Sequence, residues 1–149
     1  MIIDKLLRMS WAQALTTTAP STDVIDLGVA RDLGVGNDAP TINVVVDVGT
    51  AFASTGASTL TIALQGSTDN ASFTVMEQSP AIAKASLTAG ARLVRWSLPG
   101  RVAGQSMPRY IRMNYTVATA DFTNGTLNAF LTLDRQDNSA YPAGITISN

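Results

Sequence analysis

Few side chains in this sequence could do chemistry, and their spacing defeats the common reactions. Histidine and cysteine are both absent. That removes the commonest general base, the commonest metal ligand and all thiolate chemistry. Asp23, Asp26, Asp32 and Asp38 fall along one stretch. A calcium loop needs oxygen ligands at alternate positions and a closing glutamate, and this spacing fails. Glu77 is the only glutamate. A glycosidase would need it to face an aspartate, with one carboxyl pKa raised, yet Glu77 ends a short strand-like run just before Ser79-Pro80 and reads as solvated surface. No serine has a histidine or a suitably placed lysine as its base. "DLGVGND", residues 32–38, holds a GxG without the third glycine or the βαβ setting of a dinucleotide site, so it reads as a loop. The expectation is a non-enzyme with no catalytic residues, no metal and no cofactor.

What remains is adhesion. In "RYIRMNYTV", residues 109–117, Ile111, Met113, Tyr115 and Val117 fall on one side of an extended chain, and Tyr110, Arg112, Asn114 and Thr116 on the other. The first side suits a core. The second carries more than plain solvation requires. Arg95 and Phe130 face outward on their own alternating runs by the same counting, whereas Trp96 faces inward. Trp, Tyr, Phe and Arg are the types enriched where proteins meet, so Arg95, Tyr110, Arg112 and Phe130 are candidate contacts if their strands share a sheet. Of the ten basic residues only Lys5 and Lys84 are lysines. Arginine suits planar contacts with other proteins.

The elements that must position these residues have a period of two. The runs 22–28, 41–48, 59–66, 72–77, 92–98, 109–118 and 126–134 alternate apolar and polar residues, and 145–148 could add a short last strand. Asn124-Gly125 between two alternating runs predicts a hairpin, and Pro99-Gly100 a type II turn. About eight short strands with one apolar face each imply two stacked antiparallel sheets, closed as a jelly roll. Residues 1–15 differ. Ile3, Leu7, Trp11 and Ala14 recur every three or four residues, which fits a weak amphipathic helix or an extended arm. Residues 16–22, "TTTAPST", read as a linker. The expected organisation is an N-terminal arm over 1–20 and a jelly-roll domain over 21–149, with Ile3, Leu7 and Trp11 as contacts on the arm.

At 149 residues the chain suits one domain with a self-sufficient core. A net charge of −1 gives no basic footprint for nucleic acid. No run approaches a membrane span, and Asp4, Lys5 and Arg8 break any signal-peptide apolar stretch.

"DKLLRMSWAQALTTTAPSTDVIDLGVARDLGVG", "LTIALQGSTDNASFTVM", "MPRYIRMNYTVA" and "GTLNAFLTLD" together resemble the Bbp16-like group of capsid cement proteins of tailed phages. Their order and spacing carry the likeness. Where that group usually reads "SDAQA", this chain has Ser10-Trp11-Ala12-Gln13-Ala14. The resemblance implies a jelly roll on the outer surface of an icosahedral head. It implies a homodimer or homotrimer that bridges neighbouring major capsid proteins and has no catalytic residues. Rival readings are a carbohydrate-binding jelly roll, with Tyr110, Phe130 and Tyr141 as platform candidates, and another virion part such as a tail or fibre module.

Overall fold

The computed structural model describes residues 4–29, 42–98 and 108–133. Ten strands run through them: β1 (Arg8–Ala14), β2 (Ala19–Pro20), β3 (Ile25–Asp26), β4 (Asn43–Ala53), β5 (Thr59–Ser67), β6 (Thr74–Gln78), β7 (Ile82–Ala83), β8 (Arg92–Ser97), β9 (Tyr110–Ala118) and β10 (Asn124–Thr132). Single 3-10 turns at Lys5–Leu7 and Lys84–Ser86 are the only helical pieces among the described residues.

One sheet has the order β1-β10-β4-β8. The other has the order β2-β9-β5-β6, with β3 also on β9 and β7 also on β5. All pairings are antiparallel. Taking β2 with β3 and β6 with β7 as interrupted strands, the pairs nest: first with last, second with second-last, and so inward. A nested antiparallel ribbon wound over itself is a jelly roll, so the fold is the one the alternation implies.

Period two explains the core directly. Val44, Val46 and Val48 of β4 and Leu127, Ala129 and Leu131 of β10 meet Leu60, Ile62 and Leu64 of β5 and Ile111, Met113 and Tyr115 of β9, all essentially without solvent contact. Trp96 packs against this cluster from its edge.

Three expectations need correction. Arg8–Ala14 is neither helix nor free arm: it is the edge strand of the four-stranded sheet, paired with β10, and it sends Met9 into the core. Two register shifts and a left-handed Ala12 (φ 48°) disrupt its alternation, and the three-to-four spacing of Leu7, Trp11 and Ala14 falls on exposed positions rather than on a buried helical stripe. Leu15, just beyond it, is also buried, so the boundary expected at residue 20 separates no detached arm from the sandwich.

Asn124-Gly125 makes no hairpin between β9 and β10, because these strands lie in different sheets. Gly125 (φ 146°) instead lies under the ring of Phe52, which a Cβ would strike. The glycine signals a close approach rather than a two-residue turn. Finally, the strand expected over 22–28 is reduced to Ile25–Asp26. Pro99-Gly100, the 32–38 loop, Tyr141 and the strand expected at 145–148 lie outside the described residues.

Deleting residues 1–15 should therefore unfold the domain, and Met9→Ala alone should cost about 2–5 kcal/mol. Urea denaturation followed by far-UV circular dichroism checks both. An unchanged midpoint after deletion would restore the arm.

Candidate functional site

β9 supplies the first face. Its inward residues anchor it in the core, so Tyr110, Arg112 and Asn114 necessarily line the outer side of the six-stranded sheet. Register puts Gln65 of β5 directly opposite Arg112, and Val75 of β6 directly opposite Gln65. Gln65 Oε1 accepts a 2.9 Å hydrogen bond from Arg112 Nε, and the guanidinium lies 3.6 Å over the ring of Phe73. Its partial burial lowers the Arg112 pKa. Val75 stays half exposed beside it. The result is an arginine braced on two sides in a half-apolar setting.

The end of this face is pinned by an ion pair. Arg109 holds Asp26 of β3 with two bonds, Nε to Oδ1 at 2.8 Å and Nη2 to Oδ2 at 2.9 Å, and also lies 4.9 Å over the ring of Tyr110. The Arg109 hydrogen bond, helped by the Gly28 N–H, holds the Asp26 carboxyl down at about 2. At the opposite edge, Asp69 closes the turn between β5 and β6. It accepts hydrogen bonds from the Ala71 and Ser72 N–H groups and the Ser67 hydroxyl, and these also lower its pKa to about 2.

The four-stranded sheet supplies the second face. Arg8 of β1 pairs with Phe130 of β10, Phe130 with Val45 of β4, and Val45 with Arg95 of β8, so one row crosses the sheet. Arg8 lies 4.2 Å over the ring of Trp11, which is 50% exposed. Arg95 is exposed as well.

The expected contact residues are thus divided. Tyr110 and Arg112 share one face, whereas Trp11, Arg95 and Phe130 belong to the other sheet. Phe130 needs a correction. It alternates outward with respect to Ala129 and Leu131 but is only 1% exposed, so it is no free contact and no sugar platform. Alternation reports which side a residue faces, not whether that side is covered. Leu7, partly exposed, lines an apolar recess of roughly 100 Å³ with Leu27, Ile42, Leu131, Thr132 and Leu133. Ile3 lies outside the described residues. Phe73, Gln65 and Arg8 escaped the sequence reading. Arg8 meets Trp11 on a strand whose alternation the register shifts of β1 disrupt, so a spacing of three gave no signal for it. The other two depend on cross-strand register.

Among the described residues, no three acidic side chains gather as a metal site, and no helix is long and apolar enough to cross a membrane. The class of protein defined by this topology is a jelly-roll sandwich with arginine–aromatic stacks on both outward faces. A family model described as Bbp16 matches residues 9–131, from β1 through to β10, and the chain belongs to that family. No curated protein matches the sequence.

The two low carboxyl pKa values carry a sign. A pKa held below its unfolded value adds stability that is complete above about pH 4 and is lost as pH falls toward 2. Asp26→Asn should therefore flatten part of the loss of thermal stability between pH 4 and pH 2. A melting curve series over that range that matches the parent would show that the Arg109 pair does not contribute.

Proposed function

We propose that the protein is a non-enzymatic cement protein of a tailed-phage head, made in the host cytoplasm and seated on the outer surface of the capsid. There it bridges neighbouring major capsid proteins and stabilises the shell. Membership of the Bbp16 family supports a phage structural role. The observation that carries the bridging role is the presence of a guanidinium stacked on an aromatic ring on each of the two opposite faces, Arg112 on Phe73 and Arg8 on Trp11. One such face is enough to bind. Two faces, back to back on a rigid sandwich, allow a bridge between two subunits.

A packaged genome presses outward, and the joints between capsomers are the weak points of the shell. A protein that binds only the assembled lattice stabilises it by mass action. Self-association as a homodimer or homotrimer would add avidity, because each further contact becomes intramolecular. Individually modest interfaces then suffice, which fits a chain of net charge −1 with no histidine or cysteine. Neither nucleic acid nor membrane enters this scheme.

Purified protein should co-sediment saturably with heads lacking it and raise the temperature at which they release DNA. Electron cryomicroscopy of such heads should show it on the outer surface across capsomer joints. Failure to bind heads, combined with specific retention on a glycan array, would replace the cement role with the lectin reading.

A further inference from the structure

The braced arginine on the six-stranded sheet is over-equipped for a surface residue. Its Nε is satisfied by Gln65 and its flat side by Phe73. Among the described residues, no carboxylate meets its terminal nitrogens. The chain has acidic groups to spare, yet Asp26 is taken by Arg109, and Asp69 by its own turn. Glu77, on the edge strand β6, forms no ion pair with Arg112. Holding a guanidinium partly out of water without a counter-ion disfavours its charge, the direction in which its pKa moves. A carboxylate supplied from outside would reverse that cost. It would meet two parallel N–H donors already set in place by the brace, the geometry in which arginine binds carboxylates best.

We propose that Arg112 receives an aspartate or glutamate side chain of the major capsid protein, with Phe73, Tyr110 and Val75 as its apolar rim. This assignment rests on the cement reading and adds to it what chemistry the shell offers to the six-stranded face. Charge complementarity selects the occupant. Arg112 and Gln65 lie on the two middle strands of the face. A second copy docked symmetrically about this centre would bring two guanidiniums together, and like charges across an interface are costly. A foreign carboxylate meets no such repulsion. The apolar rim excludes water, which strengthens the pair.

The test uses full-length protein and head lattices assembled without it. Dissociation constants are measured by co-sedimentation for the parent, Arg112→Lys, Arg112→Gln, Arg112→Glu and Phe73→Leu, with melting temperature and sedimentation velocity of each free protein as controls. Arg112→Gln and Arg112→Glu should bind about tenfold weaker or worse. Arg112→Lys should fall between, since it keeps the charge and loses the fork. Phe73→Leu, which leaves the charge untouched, should also weaken binding because the guanidinium loses its seat; it remains informative if the arginine variants fold poorly. Parent-like affinity of Arg112→Glu would overturn the proposal while leaving the cement role standing. Loss of self-association in Arg112→Gln at unchanged melting temperature would assign the face to a second copy and overturn it too. If the parent itself ignores the lattice, the cement reading fails, and this inference with it.

Discussion

One polar contact ties the two apolar sheets to each other. The Tyr115 ring from β9 is fully buried between them, and its hydroxyl lies 2.7 Å from Ser10 Oγ of β1, across the sandwich. Burial raises the phenol pKa, so it stays protonated, and it is the donor because the one hydroxyl hydrogen of Ser10 is engaged by Gln13. Ser10 Oγ in turn donates a hydrogen bond to Gln13 Oε1 at 2.6 Å, which also accepts from the Thr22 N–H. Gln13 Nε2 donates to the Pro20 carbonyl. The first strand of one sheet is thereby tied to the β2 edge of the other. Of these links the Tyr115–Ser10 bond is the buried one, and breaking it would leave an orphaned hydroxyl at a cost of about 1–3 kcal/mol. The two outward faces keep a fixed relation only because this tie and the surrounding core hold the sheets in one register.

β9 couples that tie to the outer face. Ile111, Met113 and Tyr115 point inward, and Tyr110, Arg112 and Asn114 between them point outward. A slip of one residue would exchange the two sets, so the core residues set where Arg112 stands. Supports on the neighbouring strands follow from the same register. Gln65 reaches Arg112 because β5 and β9 pair without a bulge over nine consecutive residues. The pairing of β5 with β6 does shift, between Leu64 and Gln65. The shift brings Val75 directly opposite Gln65, whose own side chain meets Arg112.

Much of this was legible in the sequence, because alternation is a local property. The runs in β4, β5, β9 and β10 announce both their conformation and their buried sides. Four features were not legible, each for a physical reason. The β1 bulge, stabilised by the Ala12 N–H on Asn128 Oδ1 at 2.7 Å, depends on a residue 116 positions away. The role of Gly125 depends on the Phe52 ring, which only the fold brings over it. The cover over Phe130 and the brace of Phe73 on Arg112 likewise arise between strands. Composition pointed to adhesion, and register decided which side chains could act together.

If it bridges as proposed, the molecule would be loaded from its two faces and pulled in the direction that would separate its sheets. Antiparallel hydrogen bonds do not resist that motion, because they run within each sheet. Packing resists it, and so does the chain path. In a nested jelly roll the chain passes from sheet to sheet at most of its connections: β1 to β2, β3 to β4, β4 to β5, β7 to β8, β8 to β9 and β9 to β10. Each passage is a covalent tie across the gap. A sandwich made of two independent meanders would have one such tie and would depend on its core alone. The same winding that buries the alternating valines and leucines therefore makes the molecule hard to peel open from its faces. That is the mechanical property the proposed clip between capsid subunits would require.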